Sequence, residues 1–212
     1  MATDSVESGL SKIDLRSDDP LDLFEKWNNE SKKSIICLST SSADNRPHSR
    51  HVMLRKYDRS GFVFVTDKRS RKVQELNENG MRASICIYWM FTNDEKKVVL
   101  RQARIEGKAE ICPKHEIQKF YDADPLYCKI RAHLCHQDAL VDWNQLNKRH
   151  DQLLEEAKMN NSALPMPDHF VAYKLAPDSM EFYEAKGNNT IADRFVFCKD
   201  SNGQWTHQRI AA

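Results

Sequence analysis

The sequence predicts a single α+β domain built on a mostly antiparallel sheet. Three observations carry this. From residues 34 to 112, β-branched and aromatic residues recur in short runs joined by tight turns; from about 113 to 160 the apolar spacing becomes helical; and four further short runs follow near the C-terminal end. Sheet supplied from both ends of a chain with helices between is the pattern of an α+β fold, and five strands with flanking helices point to a small barrel.

Residues 1–18 are polar and without periodicity, so a flexible arm is expected there, with the compact domain spanning 19–212. Asp19-Pro20 opens the first helix, with Asp19 as N-cap and Pro20 at the first helical position, and Leu21, Phe24 and Trp27 form an apolar stripe through about residue 31. SIICLSTSS, HVMLRKYD and GFVFVTD then read as an antiparallel meander, with turns at 43–47 and 58–61. Residues 70–79 return to helical spacing through Val73 and Leu76 and stop at Asn79-Gly80. RASICIYW and KVVLRQARIEGKAEIC are two more strands. Helices are expected over 113–121, 125–136 and a stretch carrying Trp143, Leu146, Leu153 and Leu154, with a loop at 160–167. HFVAYKLAP, SMEFYEA, DRFVFCKD and QWTHQRI complete the sheet as four short strands.

The 212 residues balance 32 Lys and Arg against 31 Asp and Glu, a formal charge of +1. Binding to nucleic acid or a membrane surface through charge needs a cationic excess that is absent here. No apolar run reaches the roughly 18 to 20 residues of a membrane span. The polar N-terminal stretch lacks a signal-peptide core, so a cytosolic, cytoplasmic location is expected, and six cysteines without paired spacing read as reduced thiols. With 6 glycines and neither GxGxxG nor GxxxxGK[ST], any phosphate has to be held by side chains.

The polar residues at strand and helix edges are mostly basic. Arg50 and Arg55 flank Val52, Met53 and Leu54; Arg71 and Lys72 sit in the first turn of a helix; Arg101-Gln102 lies in a long strand and Arg194 opens a late one. Free N–H groups at a helix start attract anions and two cations strengthen that field, so Ser70-Arg71-Lys72 reads as a phosphate corner. A scatter of cations over a chain with 32 of them accounts for the same residues equally well. Cys128, His133, Cys135 and His136 fall on different faces of one helix, which is wrong for a metal, and no metal site is expected. No GxSxG elbow supports hydrolase chemistry. Trp89, Phe120, Tyr121, Tyr127 and Tyr183 read as core or interface packing.

In the order of its segments the chain resembles the pyridoxine (pyridoxamine) 5′-phosphate oxidases. The resemblance runs through DPLDLFEKW, STSSADNRPHSRHVMLRKYD, GFVFVTDKRSRKVQELNENG, RQARIEGKAE, HQD, LPMP, MEFYEA, DRFVF and the terminal W…RIAA, in unbroken order from residue 19 to 211. It implies the FMN-binding split β-barrel, a homodimer with flavin at the subunit interface, and FMN held by Arg50, Val52, Met53, Leu54, Arg55, Val65, Thr66, Arg71, Lys72, Gln102, Gln137, Tyr183 and Arg194. The implied reaction moves a hydride from pyridoxine or pyridoxamine 5′-phosphate to the flavin, forms pyridoxal 5′-phosphate and reduces O₂ to H₂O₂.

The implied substrate positions depart from the family pattern. Arg55 replaces a lysine, Phe120 a tyrosine, Asp124 an arginine and Cys128 a serine; Thr190 and Ala192 stand where the family has the arginine and histidine over the pyridine ring, so no catalytic residue is assigned. Asp138 replaces the serine of HQS, and Tyr183 a tryptophan. These departures leave an alternative: a divergent paralogue that binds FMN or a B6 vitamer with lost or changed oxidase activity.

Overall fold

The computed structural model describes residues 8–31, 35–159 and 164–212. Helix α1 (Pro20–Ser31) precedes strands β2 (Ile35–Ser41), β3 (Pro47–Asp58) and β4 (Gly61–Asp67), after a two-residue strand β1 (Gly9–Leu10). Helix α2 (Arg71–Glu78) leads to β5 (Arg82–Thr92) and β6 (Val98–Ile111). Three helices follow, α3 (Lys114–Ala123), α4 (Leu126–Leu134) and α5 (Trp143–Met159), and then β7 (Phe170–Lys186), β8 (Thr190–Ile191), β9 (Asp193–Lys199) and β10 (Trp205–Ile210). Among the described residues no helix is long and apolar enough to cross a membrane.

The local signals work as the sequence predicts. Asp19 Oδ1 accepts the Leu21 N–H at 2.8 Å, which caps α1. Beyond α2, Met81 N donates to Leu76 O at 2.8 Å across Gly80, the six-to-one closure of a Schellman turn. Phe24 and Trp27 of α1 then enter the core, with ring centroids 4.9 Å from Phe62 and 5.3 Å from Phe182 respectively. Buried aromatic pairs of this kind add about 0.5–1.5 kcal/mol each beyond area burial. Arg101 fastens α1 from the sheet side: its Nε donates to Glu184 at 2.6 Å, its Nη1 to Glu30 at 2.5 Å, and its guanidinium lies 4.9 Å from the Trp27 ring.

The main sheet runs β10-β9-β7-β4-β3-β2-β5-β6, and β6 pairs back onto β7, closing six antiparallel strands into a barrel. Five of those strands are the ones expected to form it; the sixth is β7. HFVAYKLAP and SMEFYEA, expected as separate strands, are one continuous strand that changes neighbours. Its first half pairs β4 as far as Leu175↔Phe62, its second half pairs β9 from Ser179↔Cys198, and β6 runs along both. Pro177, which has no N–H to give, falls at the changeover, opposite the register shift between Glu106 and Gly107. Backbones come unusually close there. A Cβ on Gly107 would lie 2.0 Å from Ala176 O, and one on Gly61, at φ +145°, 2.3 Å from Leu175 O.

Chain order begins earlier than the expected boundary at Asp19. Gly9 and Leu10 pair in parallel with Thr190 and Ile191, Ile13 is buried, and Ile13 N donates to Asp193 Oδ2 at 2.7 Å. These contacts are with residues far along the sequence, which local periodicity does not register. Residues 1–7 of the expected arm, and 160–163 of the expected loop, lie outside the described residues.

Gly107→Ala is expected to destabilise the fold by at least the 1–3 kcal/mol typical of overpacking, because the obstructing atom is backbone. Gly9→Ala, where the added carbon would meet only the Thr190 side chain at 3.4 Å, provides the comparison. Thermal unfolding should show a clearly larger drop for the first; equal midpoints would contradict the close approach.

Candidate functional site

Helix α2 sets its apolar side, Val73 and Leu76, into the main core and carries Glu75 in with them at 2% exposure. A buried carboxylate needs partners, and four converge on it. Thr40 Oγ1 donates to Oε2 at 2.5 Å, Arg50 Nη2 to the same oxygen at 3.3 Å, and Arg71 Nε lies 3.6 Å from Oε1. His48 Nδ1 is 2.6 Å from Oε1, an ion-pair distance without hydrogen-bond alignment. Burial alone would push the Glu75 carboxyl up, but the Thr40 hydrogen bond and the charges of His48 and Arg50 together hold it below its ordinary value. Arg50 is further tied down through Nη1, to Thr40 Oγ1 at 2.6 Å and His48 O at 3.0 Å.

One residue before the turn that carries Glu75 inward, Lys72 is also buried, at 4% exposure, and Nζ donates to Gln137 Oε1 at 2.8 Å. Burial, and then the nearby Arg50 charge, pull its pKa down to about 8, further than Asp138, Asp67 and Glu75 restore it. An ammonium disfavoured in this way is one that a neighbouring anion stabilises. Thr66 Oγ1 lies 3.4 Å from Ser70 Oγ at the same helix start. Arg50, Thr66, Arg71, Lys72 and Gln137 are therefore brought together, and two guanidiniums, a buried ammonium and hydroxyls form a donor set that fits a phosphate monoester.

A second cluster lies on the other side of a β-bulge. Leu54 pairs with Phe64 and Lys56 with Val63, so Arg55 is the extra residue of β3 and is aimed at α3. Its Nη1 is 2.8 Å from Asp124 Oδ1, its Nη2 donates to Phe120 O at 3.0 Å, and the guanidinium stands 5.5 Å from the Phe120 ring. Both charges are largely buried, at 18% and 10% side-chain exposure. Two positions expected from the resemblance to depart from the family thus meet each other: Arg55 and Asp124 are one ion pair.

A third group is a row across the sheet. Tyr88, Gln102, Tyr183 and Arg194 are successive cross-strand partners on β5, β6, β7 and β9. Their neighbours Arg101, Ala103, Phe182, Glu184, Asp193 and Phe195 are buried, so the row faces outward. Arg194 Nη2 donates to Glu181 Oε2 at 2.7 Å.

The remaining expected positions divide. Leu54 is a core residue and Val52 packs against the same core, so their side chains serve the fold, whereas Met53 faces out. Val65 packs with the cluster under α3, together with Phe120. Cys128 is half-buried on α4. Thr190 is committed elsewhere: Oγ1 donates to Lys186 O at 2.8 Å and lies 3.2 Å from Ser11 Oγ, where β1 joins β8, and Ala192 follows that pair. Sequence reasoning missed Glu75, Thr40 and His48. The spacing of Arg71 and Glu75, four apart on one helix, was the available signal.

Residues 25–182 match the family model described as pyridoxamine 5′-phosphate oxidase, and residues 170–212 match that of the pyridoxine 5′-phosphate oxidase C-terminal dimerisation region. The chain is 34% identical over 214 residues to a pyridoxine/pyridoxamine 5′-phosphate oxidase of Pelagibacter ubique, covering 96% of each, and 30% identical to one of Shewanella sediminis, covering 96% of this chain and 93% of the other. Among solved structures it is similar to PhzG from Burkholderia lata 383 in complex with tetrahydrophenazine-1-carboxylic acid, with TM-score 0.82, 26% identity, and 97% and 100% of the two chains covered. A pyridoxamine 5′-phosphate oxidase-related, FMN binding protein from Nostoc punctiforme shares the fold at TM-score 0.68 and 15% identity, over 93% and 98% of the chains.

Protonated Lys72 attracts an anion and the neutral form does not, so affinity for a phosphate-bearing ligand is expected to fall as pH rises through about 8. Arg50, Asp138, Asp67 and Glu75 also face this lysine and shape that midpoint. A lost charge-assisted hydrogen bond is worth about 1.5–3 kcal/mol, or roughly 10- to 100-fold in affinity. FMN titrated by fluorescence quenching across this range should show the fall in the natural protein and lose it in Lys72→Met. A flat profile in both would refute the role of Lys72.

Proposed function

The chain belongs to the pyridoxamine 5′-phosphate oxidase family, and from that membership we propose that it is a homodimeric, FMN-dependent oxidase acting on a small ring-bearing substrate. The observation that carries the reading is the corner at the start of α2, where buried Lys72 and the cations Arg50 and Arg71 gather beside the helix N–H groups. Arg71, Lys72, Thr66 and the N–H groups of α2 would hold the FMN phosphate, with Arg50 and Gln137 behind them. Bound FMN would supply the redox chemistry, accepting a hydride from substrate and passing the electrons to O₂ to give H₂O₂.

The protein's own part is positioning and electrostatics. Gln102, Tyr183 and Arg194 offer hydrogen bonds and a positive charge along one outward row, and a cation near the ring stabilises the extra negative charge of its reduced form. Glu181 orients Arg194 through a 2.7 Å contact and tempers that charge. The outward face of the barrel also carries Ile35, Met53, Tyr88 and Met90, each about half exposed or more. Such an apolar surface is one that a second copy would cover, which supports the homodimer, in keeping with a C-terminal segment that matches a dimerisation region.

The first substrate to consider is pyridoxine or pyridoxamine 5′-phosphate, as the names of the relatives indicate. Arg55 and Asp124 favour a second reading, an oxidase that keeps FMN but takes a substrate without phosphate. A guanidinium already paired with a carboxylate at 2.8 Å has little charge left for a phosphate dianion. PhzG, with its ring carboxylic acid ligand, is a relative whose ligand carries no phosphate.

Purified protein should be yellow, with flavin absorbance, and should release peroxide with pyridoxal 5′-phosphate when given pyridoxamine 5′-phosphate. Colourless protein that cannot be reconstituted with FMN would sink the proposal, and bound flavin without turnover at saturating substrate selects the second reading. Arg71→Ala is expected to weaken FMN retention about tenfold or more, and Thr190→Ala to leave it near the natural value. In the second reading Asp124→Asn releases Arg55, and binding of pyridoxamine 5′-phosphate tightens on the order of tenfold; no gain there argues that Arg55 points away from substrate.

A further inference from the structure

Three oxygens from one stretch of chain close over the start of α2. Cys135 O accepts from Arg69 Nη2 at 3.1 Å, Gln137 Oε1 from Lys72 Nζ at 2.8 Å, and Asp138 Oδ2 from the Arg71 backbone N–H at 3.3 Å. The stretch is held in that pose from both sides. His169 Nε2 lies 2.7 Å from Ala132 O at the end of α4, and Ala139 N donates to His136 O at 3.1 Å in the turn. Asp138 itself adopts φ +69°, a left-handed conformation that aspartate tolerates better than most residues.

The chemistry of this contact is specific. The first N–H groups of a helix have no intrahelical partner, and negative charge is favoured there. Val73 N and Gln74 N already use Ser70 O, whereas Arg71 N donates to Asp138. The neighbouring donors, Arg71 and Lys72, are those assigned above to a phosphate. All three oxygens that cover the corner are acceptors, and one of them is anionic, so the 135–138 turn presents to the corner what a bound phosphate would present.

We propose that Asp138 is an internal stand-in for the phosphate, a carboxylate latch that occupies the helix-start donor and has to withdraw before a phosphate-bearing ligand can seat. This rests on the phosphate corner proposed for FMN and adds to it a competitor within the chain. Asp138 therefore sets how tightly the corner holds phosphate. Gln137, which is neutral and reaches Lys72 from the same turn, can remain in place beside a ligand, whereas the Asp138 charge cannot without repulsion. Binding displaces the Asp138 carboxylate from the Arg71 N–H, while Gln137 stays beside the corner.

The test compares natural protein with Asp138→Asn, which keeps the shape and the acceptor oxygen but removes the charge, using two probes. Inorganic phosphate, measured by calorimetry at low salt, is expected to bind the variant roughly five- to tenfold more tightly, the scale of a helix-terminus charge and an exposed ion pair combined. FMN, measured by fluorescence quenching, should gain by a similar factor, and both gains should shrink as salt rises. Matching melting curves establish that the variant is folded. Unchanged phosphate affinity in the variant overturns the latch. A gain for phosphate while FMN binds neither protein supports the latch and refutes the flavin reading, so the two failures are distinguishable.

Discussion

The structure depends on the close approach of three backbones beside Leu175 and Ala176. Strands β4, β3, β2, β5 and β6 form a curved sheet with two free edges, and β7 is the strand that occupies both. Leu175 is opposite Phe62 on one side and Ala109 on the other. At this seam a Cβ on Gly61 or Gly107 would run into the β7 backbone, so both positions call for glycine in a chain with 6 in all. The barrel, the aromatic core beneath α1 and the alignment of Gln102 with Tyr183 and Arg194 all follow from that closure.

Electrostatics is distributed in a way that the near-zero net charge conceals. Buried charges occur in compact sets: Glu75 among Thr40, His48, Arg50 and Arg71; Arg101 between Glu30 and Glu184; Arg55 against Asp124; Asp193 between Arg209 and the Ile13 N–H. Removing one member of such a set leaves the other stranded, at a cost of about 3–5 kcal/mol. Arg101 is the clearest structural case, since it also spans the Trp27 and Phe91 rings. The corner at α2 differs because Lys72 remains biased against its own charge. That imbalance accords with the phosphate site proposed there.

Much of this was legible in the sequence where the determinants are local. The Asp19 cap, the stop after α2 and the first five strands of the barrel follow from turn chemistry and periodicity, whereas Ser70-Arg71-Lys72 read equally well as a phosphate corner or as a scatter of cations. What was hidden depends on partners distant in sequence. Arg55 and Asp124 each look like an isolated departure until the bulge in β3 brings them to 2.8 Å. β7 reads as two strands because Pro177 interrupts its pattern, although the interruption is where one neighbour gives way to another. Gly9 and Leu10 have no periodicity of their own and take their order from Thr190 and Ile191.

The same topology has a consequence for the order in which the chain can fold as it is made. Strands β2 to β6 leave the ribosome long before β7, and until residues 170–186 arrive the sheet has two unpaired edges, at β4 and β6. Ile13 waits longer still, because the carboxylate that receives its N–H is Asp193. Contacts this distant in sequence form slowly, and open strand edges invite pairing with other chains. Helices α4 and α5, emerging in the interval, pack on each other through Ile130, Leu153 and Ala157, whereas α3 packs through Ile117 against Val63 of β4 and Ala172 of β7. Barrel formation therefore waits until residues 170–186 have emerged, and the nascent protein is most exposed to aggregation while its middle third is being translated.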